Sequence, residues 1–321
     1  MLHFLRPAGP LTLLLFVAVV LPGAASAAST PTPPPGASGR VPPAVAEPDE
    51  RLAERVGRAP QLPLRSVFED AQVVSFYGYP GIPGMGALGA HPPERAADEV
   101  LRVAGTYDAL NGERGVVPAL HLIVAVAQTA PMEDGSYLDR LSEEEIGVYV
   151  EVARERGLLL FLDVQVGWSD PLMEVRRLSV ALAERFVHLA LDPEFATRAS
   201  GRAPGIVIGS IDAAEINAVQ DYLAALVRDR RLPPKLLVLH QFTEGMLPGA
   251  EQYAALPEVE ITIDMDGYGT EWGKLANYEA FALAPYAERP AIKLFYDWDT
   301  PLLPPERLLA LERPPDLVIY Q

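Results

Sequence analysis

The sequence predicts an α/β fold, a (β/α)8 barrel of eight parallel strands whose final helix is missing. Three observations predict it. From residue 73 onward, short apolar runs alternate with stretches of helical periodicity, the pattern of a parallel sheet with helical crossovers. Eight such units occupy about 250 residues, the size of this barrel. Five of the runs also share a polar tip. LLLFLDVQ ends in Asp163 and Gln165, and FVHLALDPEF in Asp192 and Glu194. LLVLHQ ends in His240 and Gln241, EITIDMD in Asp264 and Asp266, AIKLFYDWD in Asp297 and Asp299. An apolar body with a polar C-terminal end, strand after strand, describes a barrel with a site at its mouth.

The elements follow in order. Strand one is residues 73–77, with a glycine- and proline-rich loop after it. Helix one spans 94–111, where Val100, Val103, Ala104, Tyr107 and Leu110 recur at helical spacing and Gly112 stops it. Strand two is 119–126. Helix two opens at Ser142 with Glu145 three residues on, a capping box, and ends at Gly157. Strand three is 158–165. Helix three starts at Asp170-Pro171, a cap and a first-turn proline, and runs to about 185. Strand four is the 186–195 run, followed by an irregular segment, 196–210. Helix four opens with Asp212 and Glu215. Strand five is 236–241, with a short helix near 249–255, and strand six is 260–266. Helix six follows Thr270, strand seven is 291–298, helix seven 305–312, and the last strand 317–320. Residues 205–211 (GIVIGSI) could form an extra strand and upset this count. The alternative architecture is an open doubly wound sheet. No glycine-rich phosphate turn follows strand one, which argues against a dinucleotide site.

The N-terminus reads as an export signal over residues 1–27: Arg6, an apolar run at 11–21, and Ala25-Ser26-Ala27 as the cleavage site. The run is shorter than the ~20 residues of a membrane span, so no integral span is expected after cleavage. Residues 28–48, rich in Pro, Ala, Ser and Thr, read as an extended tether. Residues 49–321 form one barrel domain, with a short helix at 49–58 leading in. The expected location is secreted or attached to the cell envelope. With 321 residues, no cysteine and a formal charge of -17, the fold stands without disulfides or thiolate metal sites. The charge argues against nucleic acid and anionic membrane as partners and suits simple solubility, the plainer reading, or a neutral or cationic small ligand, a carbohydrate among them.

In this barrel the site lies at the C-terminal strand ends. Strand residues two apart share a face, so Asp163 points with Gln165, Asp192 with Glu194 and Asp264 with Asp266. Crowded carboxyls raise one another's pKa, which lets one act as a general acid at neutral pH. A glycosidic bond is cleaved by such a pair. Glu194, Asp192 and Asp163 are therefore the candidate catalytic residues. Tyr77, Gln165, His240, Gln241, Asp264, Asp266, Asp297, Trp298 and Gln321 are the candidate substrate-binding residues. Each has a plainer reading. Asp297 and Asp299 suit turn caps before Pro301, and Asp170 and Asp212 suit helix caps. His121 and His188, within strands, suit core histidines. Lys293, if interior, must pair with a carboxylate such as Glu260 lower in the barrel. No cofactor is expected. There is no His-x-His after strand one, no H-E-x-x-H, G-x-S-x-G or P-loop, and no metal is indicated. Oxygen ligation of a cation by Asp163, Asp192, Glu194 and Asp264 stays open.

The layout resembles secreted glycoside hydrolase barrels. Asp192-Pro193-Glu194 is similar to the D-x-E ending of strand four in chitinase-like and lysozyme-like barrels. That resemblance implies Glu194 as the proton donor. The run before it here is His188-Leu-Ala-Leu-Asp192, without the longer aspartate series of chitinases. The expected function is a secreted carbohydrate-active barrel, a glycoside hydrolase. The alternatives are a non-catalytic extracellular sugar- or ligand-binding protein and an oxygen-ligated metal-dependent hydrolase.

Overall fold

The computed structural model describes residues 64–321. The expected signal, tether and 49–58 helix lie outside the described residues. The strands are β1 (Ala71–Gly78), β2 (Gly115–Ala127), β3 (Leu138–Arg140), β4 (Leu159–Val164), β5 (Val187–Leu191), β6 (Lys235–Gln241), β7 (Val259–Met265), β8 (Arg289–Leu294) and β9 (Leu317–Tyr320). All but β3 pair in parallel, each beside its sequence neighbour, and β1 joins both β2 and β9 to close an eight-stranded barrel. Helices α1 (Pro93–Leu110), α2 (Glu143–Arg156), α3 (Pro171–Arg177), α4 (Ser179–Leu182), α5 (Ala213–Arg230), α6 (Glu271–Asn277) and α7 (Pro305–Leu309) surround it. The protein is thus a (β/α)8 barrel, and among the described residues no helix follows β9. No described helix is long and apolar enough to cross a membrane.

Local chemistry sets the helix starts. Ser142 and Glu145 form the reciprocal capping box of α2, and Asp212 and Glu215 that of α5. Asp170 accepts the Met173 N–H ahead of α3, with Pro171 in its first turn. The expected third helix instead breaks at Leu178 into α3 and α4. The helix expected near 249–255 is a single 3-10 turn, Ala250–Gln252.

The strand boundaries differ where a carboxylate turns the chain. β5 stops at Leu191 because Asp192 accepts the Glu194 N–H and caps the 3-10 turn Pro193–Phe195. β8 stops at Leu294 because Asp299 accepts the Phe295 N–H at 2.9 Å. Residues 205–211 form no strand, only a bridge between Pro204 and Val207. The ninth strand, β3, was not expected. It folds back antiparallel on the end of β2, Leu138 beside Ala127 and Arg140 beside Ala125.

Register fixes which side chains enter the barrel. Parallel partners share a face, and so do residues two apart on a strand. Tyr77 pairs with His121, His121 with Phe161, and Asp163 with Ala190. His240 pairs with Asp264, Asp264 with Ala291, and Lys293 with Ile319. One continuous inner face therefore carries Tyr77, His121, Asp163, Asp192, His240, Asp264, Asp266 and Lys293 towards the C-terminal end. The alternate positions are apolar and fully buried under the helices, as with Leu160, Leu162, Leu189, Leu237 and Leu239. Each leucine so buried contributes about 1.5–3 kcal/mol. That outer layer offsets the cost of taking so many polar groups out of water.

Candidate functional site

The inner face condenses into a chain of charge contacts. Asp163 Oδ2 lies 2.9 Å from His121 Nε2 and 2.7 Å from His240 Nε2. The other nitrogen of His240 lies 2.9 Å from Asp264 Oδ2 and 3.2 Å from Asp266 Oδ2. Lys293 Nζ lies 3.0 Å from Asp266 Oδ2 and 3.6 Å from the centre of the Tyr77 ring. All of these side chains are buried except that of Asp266, which keeps 8% of its surface exposed.

The proton positions follow. Burial alone would lower the His240 pKa, but carboxylates at both ring nitrogens override it and hold it well above the usual histidine range. His240 is therefore an imidazolium donating from both nitrogens. Burial pushes His121 down against the pull of Asp163, so it is neutral. It donates from Nε2, leaving Nδ1 without a partner. Burial would raise Asp163, yet His240 and His121 hold it well below the carboxylate range. Asp266 is held low in the same way by Lys293 and His240. Asp266 and its neighbours in turn hold the buried Lys293 ammonium above its ordinary value.

The end of β5 is the opposite case. Burial, with Asp266 and Asp163 adding to it, pushes Asp192 up to about 7. Glu194, partly exposed at the rim, is pushed well above its ordinary value by burial and then by Asp192 and Asp266. Its carboxyl makes no hydrogen bond or ion pair with any described residue. One mouth thus carries carboxyls that hold their proton beside carboxylates that have lost theirs.

The structure gathers Asp163, Asp192, Glu194, His240, Asp264, Asp266 and Tyr77 here. Burial first, then Asp163, raises the Tyr77 phenol well above its ordinary value, while Gln165 bonds to it. Gln165 also accepts the Ala127 N–H at 3.0 Å. Gln241 alternates with His240 and turns outward, where its Oε1 accepts the Tyr286 hydroxyl at 2.9 Å. Asp297 is exposed outside the cluster. Asp299 is a turn cap, taking the N–H groups of Phe295 and Gly269 and the Lys274 ammonium at 3.0 Å. Trp298 stacks on Phe295 at 5.6 Å. Gln321 is half-buried, its backbone paired to Leu294 and Tyr296.

Two placements correct the sequence reading. Lys293 pairs with Asp266 near the mouth, while Glu260, at the other end, takes Arg289 at 2.9 Å. His121 is part of the cluster, whereas His188 is a core histidine whose Nδ1 accepts the Leu236 N–H at 3.1 Å. A signal for Lys293 was present in composition. Lysine occurs only at 235, 274 and 293, and all three are buried, so exposed cations in this chain are arginines.

Two donor sets could gather round a cation: His121, Asp163 and His240, or His240, Asp264 and Asp266. A ligating histidine needs a bare nitrogen, but carboxylates at both His240 nitrogens favour a proton on each. Lys293 already supplies positive charge to Asp266. The donors fit a proton-linked ionic network better than a metal centre. No protein-family model matches the chain, and no curated protein matches it.

Proposed function

We propose that the barrel hydrolyses glycosidic bonds, with Glu194 as general acid and Asp266 as the second carboxylate. The observation that carries this reading is the contrast between these two groups. Glu194 sits partly exposed at the end of β5, its carboxyl without a hydrogen-bond partner among the described residues, while Asp266, beyond β7, is clamped by Lys293 and His240. β5 and β7 flank β6 in the barrel wall. Glu194 gives its proton to the glycosidic oxygen as the bond to the anomeric carbon breaks. Asp266 then takes a proton from the attacking water, or attacks the anomeric carbon itself before water releases the sugar. The separation of the carboxyls decides which, about 5 Å for retention and about 6.5–9.5 Å for inversion. Export, expected from residues 1–27, belongs to the same proposal.

The locked state of Asp163, Asp264 and Asp266 supports a second reading, a sugar-binding barrel without catalysis. Hydrolysis of a panel of chromogenic glycosides and polysaccharides by the protein and by Glu194→Gln separates the two. Activity lost in a folded variant supports the hydrolase. Ligand-induced thermal shifts in both proteins, without turnover in either, support the binding protein.

A further inference from the structure

The β2–β3 hairpin carries a feature that the ionic network does not use. Tyr137, at its base, holds φ +58°, a conformation that non-glycine residues rarely adopt. Its ring lies 4.6 Å from that of Trp168, in the loop after β4, at an interplanar angle of 44°. Both rings are half-buried. The pair is heavily fixed. The Trp168 N–H donates to the Ser136 carbonyl at 2.7 Å, and its indole N–H to the Arg202 carbonyl at 3.0 Å. Gly167 packs so tightly that a Cβ there would meet the Ser136 oxygen at 2.6 Å. Arg140, on β3, grips Glu174 through two bonds of 2.7 and 2.8 Å and reaches Asp134 at 2.9 Å.

This surface adjoins the end of β5. The segment after Arg202 exposes Ile206, Val207 and Ile208 at 53%, 38% and 44%. It is tied back by the Gly209 N–H, which donates to the Glu194 carbonyl at 2.6 Å. Hydrogen bonds thus tie the loops after β2, β4 and β5 to one another beside the proposed acid. Rings held still at the expense of backbone strain present a stacking face without an ordering cost on binding. The acidic mouth and the charge of -17 disfavour an anionic occupant.

We infer that Tyr137 and Trp168 form a subsite that stacks a neutral pyranose ring on the leaving-group side of the cleaved bond. The inference rests on the hydrolase reading, which places the acid next to the leaving group. The test compares the protein with Trp168→Ala, Trp168→Phe and Tyr137→Gly. Glycine accepts the positive φ, so Tyr137→Gly removes the ring without straining the fold. The probes are neutral cello-, xylo-, malto- and chito-oligosaccharides of two to six units, with glycosyl fluorides beside them. Hydrolysis is followed kinetically and binding by calorimetry.

The expected result is a KM raised about 10-fold for the longer chains in Trp168→Ala and Tyr137→Gly. Glycosyl fluorides, whose leaving group is too small to reach the two rings, lose much less, and Trp168→Phe restores most of the loss. An unchanged dependence on chain length in folded Trp168→Ala and Tyr137→Gly overturns the subsite while leaving the hydrolase standing. Oligosaccharide binding that Trp168→Ala abolishes, with no hydrolysis by any protein, keeps the stacking site but overturns its leaving-group role together with the hydrolase. Neither binding nor hydrolysis overturns both.

Discussion

His240 Nε2 and Asp163 Oδ2 lie 2.7 Å apart at the centre of the barrel, with both side chains fully buried. The contact joins β6 to β4 across the lumen, over the top of β5. A charged pair in such a place is stable only when each member is matched. His240 is matched by Asp264 and Asp266 on its other nitrogen, and Asp163 by the His121 N–H. The ionic chain therefore acts as one unit.

Removing Asp163 breaks that unit. Asp163→Asn leaves an imidazolium facing a neutral amide and replaces the carboxylate that His121 donates to with, at best, a weaker carbonyl acceptor. Breaking a buried pair on one side costs about 3–5 kcal/mol, and chemical denaturation of the two proteins should show a loss of that size. Imidazole nitrogen shifts should also show His240 titrating at lower pH in the variant. An unchanged stability and titration would mean that the network is not a unit.

The pH dependence of stability follows from opposite shifts. Asp163 and Asp266 have depressed folded pKa values, so their contribution is present above about pH 4 and lost as pH falls through the folded values. His240 is raised, so its contribution is full below about pH 6.5 and lost as pH rises through its folded value. Asp192, raised to about 7, is protonated in the folded chain where the unfolded chain has lost its proton. Stability should fall with rising pH between about 4 and 7 on its account. Asp192→Asn should flatten the stability curve over that interval, measured by urea denaturation at half-unit steps. An identical slope in both proteins would remove Asp192 as the cause.

Much of this arrangement was legible in the sequence, and the remainder was hidden for a definite reason. Strand–helix alternation is local, so the eight barrel strands and the caps at Ser142, Asp170 and Asp212 could be read from neighbouring residues. Asp163, Asp192 and Glu194 could be placed at the mouth because they end apolar runs. His121 could not, because it sits mid-run, and its role appears only when the register sets it beside Tyr77 and its ring nitrogen reaches Asp163. The sequence leaves open whether Lys293 is interior, and choosing between Glu260 and Asp266 as its partner requires knowing that these stand at opposite ends of the β7 inner face. The Tyr137–Trp168 contact joins two loops, which no periodicity encodes. Asp297 was misleading because a carboxylate after a strand also suits a turn, and in this turn the buried cap is Asp299.

Chelation gives an independent check on the network. With protons favoured on both nitrogens of His240 and Lys293 against Asp266, EDTA should leave activity and melting temperature unchanged, and added Zn2+ or Mn2+ should not raise either. A melting temperature that drops on chelation and recovers with one cation would put a metal at His121, Asp163 and His240 instead.

Lys293 sets the working pH of the proposed base. Its ammonium, 3.0 Å from Asp266, is the largest influence holding that carboxylate ionised against burial. In Lys293→Met the side chain keeps its approximate length and apolar stem but loses the charge. The folded Asp266 pKa must then rise, because only His240 remains to offset desolvation. The acidic limb of the kcat/KM profile should move to higher pH, with activity partly retained at alkaline pH. Glu194→Gln, by contrast, should lower kcat about 10^2–10^4-fold at every pH on substrates with poor leaving groups. It should spare substrates whose leaving group needs no proton, because only the acid step is lost. If Lys293→Met folds and leaves the acidic limb where it was, Asp266 is not the base, and the second carboxylate must be sought among Asp163, Asp192 and Asp264.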